Sequence, residues 1–189
     1  PPFEGEDMLV AVEGLLAPWK DIVRLHKGDI RNARWSGTPI EILFVDAAKT
    51  PGLADLIAAA FFPATIPGRS VVIQQDYLHW RQPWVPAQME LLCTSFEIVA
   101  WCQLGTVAFR PTVAITPEKL LAAKTSDLTD REMIELIKVA LRRFPRRPQK
   151  ARLAASIMAI EDNPGVRIPY KMDNAGFTPD RVSKILDTL

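Results

Sequence analysis

The sequence predicts an α/β protein. It reads as a mostly parallel sheet that ends in an antiparallel hairpin, followed by a helical C-terminal extension. Three observations carry this. Residues 40–80 read as strand, helix, strand, the signature of a parallel pair joined by a crossover. Residues 96–103 and 106–110 are two strand-like runs around Leu104-Gly105, a connection too short for anything but an antiparallel pair. Beyond residues 111–117 the strand pattern stops and helical periodicity takes over.

Each element follows from local chemistry. Residues 6–20 predict a helix, with Leu9, Val12, Leu15 and Leu16 as an apolar stripe. Residues 21–26 predict a short strand leading into Lys27-Gly28-Asp29, and the polar residues 30–39 a loop. Residues 40–45 form a mostly apolar run, as in a central strand buried on both faces. Residues 51–62 are the crossover helix, opened by Pro51 in its first turn. Pro67-Gly68 marks a turn, and residues 70–74 the next buried strand. Residues 83–95 predict a helix before the hairpin. Residues 116–124, 128–144, 148–161 and 178–188 predict four more. Thr129 to Glu132 offers a capping box, and Thr178-Pro179 a cap followed by Pro.

Composition bounds the possibilities. The chain has 189 residues, 48% of them hydrophobic, enough for a sizeable core. Its longest apolar runs are too short to span a bilayer, and no secretory signal is visible, so a cytoplasmic protein without membrane association is expected. The two cysteines, Cys93 and Cys102, are expected to be reduced. Net charge is +1, but unevenly spread: residues 1–110 carry 9 basic and 12 acidic side chains, residues 111–189 carry 14 and 10. Most of the excess sits at Arg142, Arg143, Arg146, Arg147, Lys150 and Arg152. The stretch is short and reads as a solvated helix junction, so nucleic acid is not an expected partner. The contrast supports two domains, 1–112 and 113–189.

The chemistry concentrates at the ends of the two apolar strands. Asp46 follows Ile-Leu-Phe-Val, and Asp76 follows Val-Val-Ile-Gln-Gln. In an open parallel sheet, such positions line one ligand crevice. Both carboxylates are therefore candidate metal ligands, with Gln75 as a neutral oxygen donor beside them. As the structural alternative, Asp46 could cap the following helix and Asp76 could brace the turn before Tyr77. His79 is a candidate base, already suited to neutral pH. The aromatic Trp35, Trp80 and Trp84 are candidates to line a ligand pocket, offering flat apolar area for rings.

Asp46-Ala47-Ala48-Lys49 resembles the Asp-x-x-Lys of metal-dependent catechol-type O-methyltransferases. Gln75-Asp76-Tyr77, followed by His79-Trp80, resembles the Asp-Asp-Tyr segment of macrocin-type sugar O-methyltransferases. Over residues 1–110 the chain is thus similar to the C-terminal portion of the Rossmann-like class I S-adenosylmethionine-dependent methyltransferases, whose sheet ends in an antiparallel hairpin. The resemblance implies S-adenosylmethionine, contacted near Asp29 and Trp35. It implies Mg²⁺ on Asp46 and Asp76, and a small hydroxylated acceptor deprotonated by Lys49 or His79. Two departures stand out. No Gly-x-Gly occurs anywhere, so the loop that holds the methionine part of the donor is missing, and the chain reads as a fragment or a degenerate form. Gln75 stands where the family has a carboxylate, which weakens the metal site. The alternative is a non-catalytic, methyltransferase-like interaction module whose helical tail offers a surface for a homo-oligomer or a partner domain.

Overall fold

The computed structural model describes residues 8–35, 37–102, 105–173 and 176–188. These divide into two compact units, Pro1–Ala33 and Arg34–Leu189. The first holds α1 (Met8–Leu16), none of whose residues is buried. The expected strand at 21–26 is a turn followed by irregular chain. Its apolar residues alternate irregularly with charge, and Arg24 donates to the carbonyls of Lys20 and Val23, which favours local bonding over a ladder.

The second unit is α/β. Its strands are β1 (Ile42–Val45), β2 (Val71–Gln74), β3 (Phe96–Trp101) and β4 (Val107–Pro111). They form one four-stranded sheet in the order β1-β2-β4-β3. Only β1 and β2 are parallel; β4 runs antiparallel to both β2 and β3. The sheet is therefore mixed, and the expected mostly parallel Rossmann-like sheet is not what forms. The reason is that β4 folds back into the position beside β2, so both of its pairings are antiparallel, and the strand expected at 21–26 does not add a third parallel member. Gly105 takes φ 139°, a conformation that only glycine adopts readily, as the chain returns into β4. Gln103 and Leu104 of the expected hairpin lie outside the described residues.

The helices form close to where the sequence places them. The crossover α2 (Pro51–Phe61) is capped by Thr50, whose hydroxyl accepts from the Leu53 amide, and Pro51 supplies the fixed φ of its first turn. Next comes α3 (Trp84–Leu91), then α4 (Pro117–Ala122), α5 (Asp130–Arg142), α6 (Arg147–Asp162) and α7 (Pro179–Asp187). The Thr129–Glu132 capping box on α5 and the Thr178 cap on α7 are both made. One apolar cluster joins Val45, Val72, Val107 and Phe109 of the sheet to Ala54 and Ile57 of α2 and Trp84 of α3. It continues through Met133 and Ile137 of α5 into Leu153 and Ile157 of α6. The C-terminal helices are thus part of the same core as the sheet.

Two polar links fasten this assembly. Asp55 on α2 accepts hydrogen bonds from the Thr125 amide and hydroxyl and from the Ser126 amide, pinning the α4–α5 loop. Glu90, buried on α3, is paired with Arg143 just after α5.

The opposite face of the sheet is bare. β1 is an edge strand, not the central strand expected: Ile42 is 70% and Phe44 56% exposed, and Val71 and Ile73 beside them are only half-buried.

Candidate functional site

β1 ends at Val45 and β2 at Gln74, paired in register, so their carboxyl ends are side by side. The loop after β1 is held rigidly. The Trp84 indole N–H, fully buried, donates to the Ala48 carbonyl at 2.7 Å, and the Lys49 amide bonds to Ala47 O at 2.8 Å. The turn after β2 is fixed by Gln75 N to Val45 O, His79 N to Asp76 O, and Leu78 N to Gly105 O. These bonds aim three charged side chains at one another.

The Lys49 ammonium donates to Asp46 Oδ1 at 2.9 Å and also to Asp76 Oδ2. Asp76 is the most sheltered member, its side chain 18% exposed. Thr50, not Asp46, caps α2, and Asp76 braces its turn through its backbone carbonyl while its side chain goes to Lys49.

The electrostatics assign different parts to the two candidate bases. Burial alone would pull the Lys49 pKa down, but the hydrogen bonds to Asp76 and Asp46 outweigh it and hold it above the ordinary lysine value. Lys49 is therefore an ammonium at neutral pH and cannot accept a proton there. His79 goes the other way: burial lowers its pKa below the ordinary value, against the opposing pull of Asp76. It is a neutral imidazole at pH 7. Its Nδ1 accepts from the Arg81 amide at 3.3 Å, and its ring lies parallel to Trp80. Of the two, His79 is the one suited to accept a proton.

The fit of a divalent cation is poor. Any ion held by Asp46 and Asp76 together would have to displace the Lys49 ammonium that both carboxylates already share. Among the described residues, no group of three or more His, Cys, Asp or Glu side chains is placed to hold a metal. Gln75 keeps a half-buried side chain, and its carbonyl accepts from the Thr106 hydroxyl. The cluster fits an amino cation, and no chemical step is derived through a metal.

The residues expected to hold a cofactor are otherwise engaged. Asp29, in the first unit, accepts from the amide and guanidinium of Arg31, which holds its pKa near 2. Trp35, in the second unit, gives its indole N–H to Thr38 O at 2.9 Å and packs at a tilt against Phe61.

Two residues matter more than the sequence reading allowed. Thr50 frees Asp46 from capping, and its signal was visible: Thr50-Pro51 repeats the Thr178-Pro179 pattern. Trp84 is a core anchor of the loop after β1, not a pocket wall, and nothing local in the sequence distinguishes the two. Cys93 is half-buried and Cys102 exposed, and among the described residues neither forms a disulfide.

Comparison with protein-family models, with curated proteins and with solved structures gives no significant match. Among the described residues, no helix is long and apolar enough to cross a membrane.

Proposed function

We propose that this site is the acceptor side of an S-adenosylmethionine-dependent O-methyltransferase acting on a small hydroxylated molecule. The observation that carries the reading is the meeting of Asp46, Lys49 and Asp76 at the carboxyl ends of the one parallel strand pair, with a neutral His79 in the next turn. The motif residues that suggested such chemistry come together, and the sheet closes with the antiparallel hairpin the resemblance implies.

In this reading the acceptor hydroxyl docks between the cluster and His79. The Lys49 ammonium, oriented by two carboxylates, stabilises the oxygen as it gains negative charge. His79 takes the hydroxyl proton on Nδ1, its unprotonated nitrogen, which releases the Arg81 amide to do so, while Nε2 keeps the ring's own hydrogen. The protein's main contribution is orientation of the reacting oxygen. Mg²⁺, which the resemblance also implies, has no part here, because Lys49 supplies the positive charge between the two carboxylates.

The test is transfer of labelled methyl from S-adenosylmethionine to a panel of sugars, phenols and catechols. The expected result is an ether product that Asp76→Ala abolishes. Retention of full transfer in that variant would overturn the assignment. A second reading, a non-catalytic interaction module, is favoured by one observation: the sequence has no Gly-x-Gly, and Asp29 and Trp35 are committed elsewhere. Calorimetry separates the two, since a module of that kind binds no S-adenosylmethionine.

A further inference from the structure

The basic stretch between α5 and α6 remains unused by the chemistry above. It surrounds a cavity of ≈ 310 Å³ lined by Leu141, Arg142, Pro145, Arg147, Lys150, Leu186 and Asp187, where the end of α5, the start of α6 and the end of α7 meet. We propose that this cavity binds the phosphate group of a small organophosphate, independently of the site at Asp76.

Four features point the same way. Three cations, Arg142, Arg147 and Lys150, face a single acid, Asp187, so the lining is net positive. Arg142 and Lys150 make no ion pair among the described residues, and neither does the adjacent Arg146; Arg147 gives one N–H to the Ser183 hydroxyl at 3.0 Å. Three neighbouring arginines are paired: Arg143 with Glu90, Arg167 with Asp130, Arg181 with Glu161 and Asp162.

The backbone adds to the field. α6 is 16 residues long and begins here with no side-chain cap and no acid in its first turn, which leaves its positive end uncompensated. Finally, the walls are mixed. Leu141, Pro145 and Leu186 give apolar contact for a carbon skeleton, which a surface evolved only for solvation does not need. The volume is at the small end of ligand sites, matching a phosphate on a compact body and excluding a nucleic-acid duplex from the cavity itself.

The experiment is calorimetric titration of the protein with inorganic phosphate, pyrophosphate and glucose 6-phosphate, and with a single-stranded oligonucleotide, at two salt concentrations. Saturable one-site binding of pyrophosphate and glucose 6-phosphate is expected. The double variant Arg142→Gln/Lys150→Gln should weaken it at least tenfold. Asp187→Asn, which removes the lone acid, should strengthen it severalfold. Both altered cations lie at the surface, and a circular-dichroism melt of each variant checks that the fold is kept. Loss of binding in Asp76→Ala would show a single shared site and overturn the independence of the cavity. No saturable binding of the small phosphates, or equal affinity in the double variant, would overturn the proposal. Binding of the oligonucleotide alone, with a steep salt dependence, would replace it with a nucleic-acid surface.

Discussion

Lys49, in the loop after β1, donates to the carboxylate of Asp76, in the turn after β2, across 27 positions of sequence. That bond forms where a helical crossover brings two parallel strands to a common end. It ties the two halves of the candidate site together, and its loss should be felt on both sides.

Asp76 is the more sheltered of the two carboxylates, so its removal should be the more harmful. In methyl-transfer assays Asp76→Asn is expected to cost on the order of 10²-fold or more in kcat, the scale on which orienting electrostatic groups act. Asp46→Asn, with its side chain half exposed, should cost less. Equal effects would show that burial does not rank the two.

Lys49→Met should abolish stabilisation of the acceptor oxygen while leaving the fold intact. The side chain is partly exposed, and exposed ion pairs are worth about 1 kcal/mol or less each. The expected pattern is therefore a large fall in kcat with a melting temperature nearly unchanged. Activity should also survive treatment with EDTA, because the cation between the carboxylates belongs to the protein. Loss of activity with EDTA, restored by Mg²⁺, would return the metal to the mechanism.

The pH profile should report His79. Its pKa lies below the ordinary 6.5, so the base form already dominates at neutral pH. Activity should be flat around pH 7 and fall only as pH drops through the folded-state pKa, on the acid side of 6.5. The sign for stability is the same: a lowered histidine pKa favours folding above the unfolded value and is lost as pH falls. In His79→Gln the acidic limb should disappear along with most of the rate.

Arg143→Ala should destabilise the second unit by about 3 kcal/mol, because it strands the buried Glu90 carboxylate without a partner. Arg143→Ala with Glu90→Leu should recover much of that loss. Chemical denaturation monitored by tryptophan fluorescence measures both.

Much of this architecture was legible in the sequence because it is local. Thr-x-x-Glu and Thr-Pro caps and Pro51 at a helix start each act within a few residues, and each appears as expected. The convergence of Asp46, Lys49 and Asp76 was readable because strand ends and a crossover fix it. What the sequence could not show is pairing across distance. The place of β4 between β2 and β3 depends on which edges compete, and that placement made β1 an edge and the sheet mixed. The run at 21–26 has the residues of a strand but no ladder to join. Lys49 looked like a base by resemblance alone; only the two carboxylates around it decide that it stays charged.

The bare side of the sheet carries a practical consequence. Phe44 presents an aromatic ring to water two residues before Asp46, on a strand whose outer edge has open backbone groups. Such an edge is a template for pairing with other chains. At high concentration the protein should therefore scatter light and lose soluble material, with β1 as the sticking point. Phe44→Lys, pointing away from the core, should raise the concentration at which turbidity appears and leave the melting temperature unchanged. The strand that ends one residue before Asp46 is also the one that limits how much of the protein can stay in solution.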